Sequence, residues 1–147
     1  MRWRPIPSLL ALALVSCAGR TALRPFSSDG CTLFPDGPPD DRGRWCECCQ
    51  AHDLAYWRGG TEQEREAADE ALRECVLLKS RDPLVTSLMY QGVRVTGSPV
   101  FPAGYRWGYG WEFGRGYEPI SGAERAEARA RLAEYRRAHP KGFCAEQ

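Results

Sequence analysis

Histidine is scarce in this chain: only two of the 147 residues are His, at positions 52 and 139. Charge of one sign is also missing. Acids and bases nearly cancel, leaving a formal charge of +1 with no long charged run. That balance gives no reason to expect a nucleic-acid partner. There is no tandem repeat and no low-complexity tract, and the length suits one compact domain. No apolar run is long enough to span a bilayer, since "IPSLLALALVS" is too brief.

That short apolar run follows the basic "MRWR" and ends in "LVSC". The order resembles an export signal with a bacterial lipobox, so residues 1–17 are expected to be a signal peptide ending at a lipidated Cys17. The plainer alternative is a secretory signal cut after a small residue. Ala18 follows the cysteine, which by the same resemblance implies an outer-membrane anchor in the cell envelope. Taking Arg2 and Arg4 from the 20 basic residues leaves 18 against 19 acidic ones, a near-neutral exported domain. Disulfides persist in such a compartment. Of the seven cysteines, Cys17 is claimed by the anchor, and the remaining six are even in number: Cys31, Cys46, Cys48, Cys49, Cys75 and Cys144. Parity suits three disulfides and leaves their connectivity open.

Residues 18–28 are expected to be a tether, and 29–147 the folded domain. "SDGCTLFPDGPPDD" is too rich in Pro and Gly for a regular element. Pro38-Pro39-Asp40-Asp41 resembles a helix start, so a first helix is expected from there to about Trp57, closed by Gly59-Gly60. Thr61 and Glu64 form a capping box that opens a second helix from Glu62 to about Lys79. Asp82-Pro83 starts a third. Ser121 caps a last one, "SGAERAEARARLAEYRRAH", whose thin Ala-rich stripe suits packing on one side only. "TGSPVFPAGYRWGYGWEFGRGYEP" is irregular by composition, either an aromatic-packed loop or a cover for a cleft. Five Trp, six Tyr and five Phe are many for this size. Trp45 and Trp57 are more simply core residues than lipid-interface anchors.

"CECCQAHDLAY", Cys46 to Tyr56, concentrates the chemistry. Zinc is disfavoured, because Cys48 and Cys49 point about 100° apart on a helix and no second ligand pair follows. A Cys48–His52 nucleophile is disfavoured by the oxidising compartment. Adjacent cysteines that tie a helix to two other segments would leave a rigid frame for His52, Asp53 and Tyr56.

"CCQAHDLAY" resembles the C-C-x-x-H-D-x-x-Y motif of secreted phospholipase A2. The resemblance extends over about residues 29–80, and "DEALREC", Asp69 to Cys75, matches the family's second helix. It implies a mainly α fold with two antiparallel, disulfide-linked helices. It further implies His52 as general base, Asp69 holding its far nitrogen, and Tyr56 in support. Asp53 would be a calcium ligand, joined by carbonyls of Gly30, Thr32 and Phe34 in a loop aligned on Cys31. The implied disulfides are Cys48–Cys75 and Cys31–Cys49, with Cys46 and Cys144 left as the third pair. The implied reaction is calcium-dependent hydrolysis of the sn-2 ester of a phospholipid at a membrane surface. Two positions depart from the family: Ala55 replaces a frequent cysteine, and "CTLFPDG" replaces its glycine-rich loop, so that Asp36 is an alternative ligand. The competing expectation is a non-catalytic envelope lipoprotein that uses the same scaffold for binding or structure. By its residues alone, Asp69 is one acid among Glu62, Glu64, Glu66, Glu70 and Glu74.

Overall fold

A computed structural model describes residues 22–145, so the export signal and Cys17 lie outside the described residues. Four helices carry the regular structure: α1 (Cys46–Arg58), α2 (Glu62–Ser80), α3 (Pro83–Thr96) and α4 (Gly122–Ala138). A short 3-10 turn follows at Phe143–Ala145. The described residues contain no strand, and the protein is mainly α. None of these helices is long and apolar enough to cross a membrane.

The helix expected from Pro38 begins at Cys46 instead. Residues 38–45 form successive tight turns, with Asp41 N–H on Pro38 O (3.0 Å), Arg44 N–H on Asp41 O (3.1 Å) and Cys46 N–H on Gly43 O (3.1 Å). Asp40 and Asp41 pair with Arg44, at 3.5 and 3.1 Å, rather than with a helix N-terminus. Trp45 imposes the change. Its ring is buried, its indole N–H donates to Pro35 O (2.7 Å) and its peptide N–H to Asp36 O (2.9 Å). Folding the loop back over that ring satisfies four polar groups, two donors and two acceptors, that a longer helix would leave apart.

The other helix boundaries follow local chemistry. Thr61 and Glu64 exchange both bonds of a capping box, and Asp82 accepts from the Leu84 and Val85 N–H groups ahead of Pro83. Ser121 and Glu124 make a second capping box at α4, which buries only Ala128. The C-terminus of α1 has a fuller solution. A helix leaves its last four carbonyls unpaired, and here each finds a partner. Ala55 O accepts from Gly59 N–H (3.0 Å), Tyr56 O from Gly108 N–H (2.7 Å) and Trp57 O from Gly110 N–H (3.0 Å). Arg58 O accepts from the Trp111 indole at 2.7 Å. Gly59 has φ 67°, and a Cβ there would sit 2.9 Å from Gly108 Cα, so the close crossing of the two segments requires glycine at 59, while Gly108 is favoured by its own φ of 70°.

α1 and α2 run antiparallel, as successive pairings 48–75, 52–69 and 56–65 require. Three disulfides fasten the frame: Cys31–Cys49, Cys48–Cys75 and Cys46–Cys144. One core cluster gathers Trp45, Leu72, Val76 and Met89 around four of those cysteines and their neighbours. A second gathers Leu23, Phe26, Trp57, Trp111, Ile120 and Ala128. Leu23 and Phe26 belong to the segment expected to be a tether, yet both are buried, and Leu23 N–H donates to Glu127 Oε1 (3.0 Å). Among the described residues, packing therefore extends back through this segment to Leu23. Two apolar side chains on a short segment are enough to seat it between α1 and α4.

Candidate active site

The antiparallel pairing of α1 and α2 brings His52 against Asp69. His52 is 8% exposed and Asp69 is fully buried at 0%. Their contact is 2.8 Å between Nε2 and Oδ1. Tyr56, one turn on from His52, donates its O–H to the same Oδ1 at 2.7 Å. Arg94 from α3 donates Nη1–H to Oδ2 at 2.8 Å. Burial alone would push the Asp69 carboxyl up, but bonds from His52, Tyr56 and Arg94 outweigh it and hold the group below the ordinary carboxylate value. An ionised Asp69 accepts only, so Nε2 of a neutral His52 carries the proton and Nδ1 carries the lone pair. Among the described residues Nδ1 has no hydrogen-bond partner and is not a buried unsatisfied atom, so it is open to the cavity that His52 lines.

Tyr56 is pushed up by burial and by Asp69, and stays a phenol. It also accepts from Arg65 Nε at 3.0 Å. Arg65 is itself buried. It donates to Tyr117 Oη (2.8 Å) and, through Nη2, to Val93 O (3.0 Å) and Arg94 O (2.8 Å). This one guanidinium joins α1, α2, the end of α3 and the aromatic segment.

The cavity has a volume of about 330 Å³ and is lined by Gly30, Thr32, Phe34, His52, Asp53 and Tyr56 among others. Thus the expected base, its neighbour and the whole expected loop face one space. Asp69 lies behind His52. The apolar wall is Leu72, Leu88, Met89 and Val93. Leu33 and Leu88 line the cavity while remaining 88% and 55% exposed, which puts apolar side chains at its mouth.

Asp53 is held by the loop it faces. Ser28 Oγ donates to Oδ2 at 2.6 Å and accepts from Gly30 N–H at 3.2 Å. The Asp53 carboxyl is pushed up to about 7, first by burial, then against the Ser28 bond, with Asp29 and Asp36 adding repulsion. Gly30 has φ 78°, and a Cβ there would meet the Asp36 carboxylate, so this glycine is required. Leu33 takes the left-handed region at φ 61° without being glycine. Asp36 is not among the residues lining the cavity, and its Oδ1 accepts from Cys31 N–H at 2.7 Å, bracing the loop. Cys31, Asp36 and Cys49 cluster within 4.8 Å, but the two sulfurs are bonded to each other and offer no thiolate.

The donors available to a cation are oxygens: the Asp53 carboxylate and the loop carbonyls, of which Thr32 O and Phe34 O accept no backbone bond among the described residues. A desolvated carboxylate on a cavity that the loop residues also line suits a hard divalent ion better than a soft one. Sequence reasoning missed three contributors. Arg65 lies four residues before Asp69 on α2, a spacing that shares a helix face and was legible. Ser28 lay in the presumed tether, and Arg94 comes from a separate helix with no local signal. Comparison with known protein families, with curated proteins and with solved structures found no match to this chain.

Proposed function

We propose that this chain is a calcium-dependent hydrolase of the sn-2 ester of phospholipids, with a phospholipase A2-like arrangement of α1 and α2. One observation carries the reading. A histidine bonded through Nε2 to a buried anion presents its other nitrogen to an apolar cavity shared with Asp53 and the 30–34 loop. The apolar wall suits an acyl chain, and Leu33 and Leu88 at the mouth suit a lipid surface.

In this mechanism Nδ1 of His52 accepts a proton from a water molecule as its oxygen bonds to the ester carbonyl carbon. The imidazolium that forms is stabilised by Asp69, which does not take the proton. When the tetrahedral intermediate collapses, the C–O bond to the glycerol oxygen breaks and His52 returns the proton to that oxygen, releasing fatty acid and lysophospholipid. Asp53 and the carbonyls of Gly30, Thr32 and Phe34 would hold the calcium ion, which when bound polarises the carbonyl and stabilises the oxyanion. Export completes the reading and is supported by three disulfides of the kind that persist outside the reducing cytosol, while the lipid anchor at Cys17 rests on the lipobox resemblance alone.

The test is fatty-acid release from mixed phospholipid micelles by residues 18–147, with calcium and with chelator. Calcium-dependent release that drops by about 10²–10⁴-fold in His52→Gln is expected. Absence of release, or an equally active variant, sinks the proposal. A second reading is a non-catalytic envelope lipoprotein. It is favoured by the Asp53 carboxylate already accepting from Ser28 O–H at 2.6 Å. Calorimetric titration separates the two, since no heat at millimolar calcium selects the second.

A further inference from the structure

We propose that Arg94 is a positioning residue for His52, acting through Asp69: it holds Oδ2 of that carboxylate so that Oδ1 stays the anionic acceptor of the His52 Nε2–H. The inference rests on the catalytic reading only for its kinetic readout.

The two oxygens of Asp69 have different company. Oδ1 receives His52 and Tyr56, at 2.8 and 2.7 Å. Oδ2 receives Arg94 at 2.8 Å, while Arg65 Nε stands off at 3.7 Å, beyond hydrogen-bond length. Arg94 is therefore the one hydrogen-bonding donor that Oδ2 has among the described residues. Without it the carboxylate keeps its desolvated position but loses a charge-assisted bond, and two consequences follow. The carboxylate is free to turn about its own bond, exchanging the oxygens that meet His52. A fully buried acid with one cation fewer also takes up a proton more readily. A protonated Asp69 donates to Nε2 instead of accepting from it, which moves the imidazole proton to Nδ1. The lone pair then faces away from the cavity, and His52 cannot accept a proton from water there.

Arg94 is itself well placed for this task. It lies in the last turn of α3, where Arg65 ties down its own carbonyl at 2.8 Å. Glu66 faces its outer side at 3.6 Å. Its side chain is 27% exposed, so shortening it does not open a sealed cavity. The residue links a surface-accessible position to the most buried carboxylate of the site.

The test combines nitrogen-15 NMR of the His52 ring at pH 7 with micelle kinetics for wild type, Arg94→Met and Arg94→Lys. Wild type is expected in a single tautomer with the proton on Nε2. Arg94→Met is expected to lose that single state, by a second tautomer or an exchange-broadened ring, and to lower kcat on the order of tenfold with KM held within about twofold. Arg94→Lys keeps the charge and is expected to restore one tautomer and most of kcat. A merely structural role would lower the melting temperature without changing the ring spectrum. A wild-type ring spectrum in Arg94→Met overturns the proposal. If Arg94→Met does not fold, Arg94→Gln takes its place in the same comparison. If no variant, wild type included, releases fatty acid, the catalytic reading has failed and the ring spectra still decide the role of Arg94.

Discussion

The N-terminal half of α1 is fixed covalently, through Cys46, Cys48 and Cys49, whereas its C-terminal half is held by indoles, peptide N–H groups and apolar packing. Between the halves stands His52. The difference has a physical reason. The crosslinked half packs on Leu72, Val76 and Met89 and leads directly into His52 and Tyr56. These two meet a buried cluster of Asp69, Arg65 and Arg94, whose charges are costly to desolvate and whose geometry fails when one partner is removed. Crosslinks hold the backbone in register around that cluster whatever its own net contribution. Past Tyr56, the end of the helix is buried with Trp57 and Trp111, whose indole N–H groups find acceptors in Arg24 O and Arg58 O.

The contrast can be broken first at the crosslinks. Cys46–Cys144 closes 98 residues and Cys48–Cys75 closes 27. On loop entropy alone, replacing the first pair by serine costs about 4–5 kcal/mol and the second about 3–4 kcal/mol. Urea unfolding is expected to return that order, with the smaller loss accompanied by the greater disturbance of the His52–Asp69 contact. The reverse order would mean that native packing, not the unfolded chain, sets the contribution of the crosslinks.

Trp111→Ala probes the other half. It removes a buried ring and leaves Arg58 O without its donor, for an expected loss of about 3–5 kcal/mol. Because α1 and α2 stay crosslinked, the His52 ring spectrum is expected to survive in the folded fraction. Collapse of that spectrum at native conditions would show that the two halves are one cooperative unit.

Asp53 gives a smaller, pH-dependent effect. Its folded value of about 7 lies above the ordinary 3.8, so the folded state binds the proton more tightly than the unfolded chain. The stability it contributes is fully present below about pH 4 and is lost as pH rises through about 7. In chelator, the stability advantage of Asp53→Asn over wild type is expected to grow from pH 4.5 to pH 8, and calcium is expected to reduce it. A constant difference across that range would remove burial and repulsion as the cause. Smallest of all, Thr61→Ala removes one half of the α2 capping box and is expected to cost about 1 kcal/mol in thermal unfolding.

The legible parts of the molecule are those in which one residue's neighbours in sequence decide its environment. Caps at Thr61, Asp82 and Ser121 and the glycine pair after α1 mark helix ends because they act on peptide groups within a turn. The start of α1 was misleading for the same reason. Pro38-Pro39-Asp40-Asp41 has the local chemistry of a helix start, but burial of Trp45 outweighs it and folds the acids onto Arg44. Likewise residues 22–28 carry no periodic pattern, yet Leu23 and Phe26 complete a core formed by residues far along the chain.

By itself the sequence determined the starts of α2, α3 and α4, because caps act within one turn. It also determined the even number of cysteines beyond Cys17, while the candidacy of His52, Asp53 and Asp69 came from the resemblance of their motifs. Only the tertiary structure decided that Asp69 is fully buried, that Arg94 holds its second oxygen, and that Ser28 bonds Asp53. Those contacts join segments that are remote in sequence. Their partners are chosen by packing, and no local pattern encodes which donor reaches a buried oxygen first.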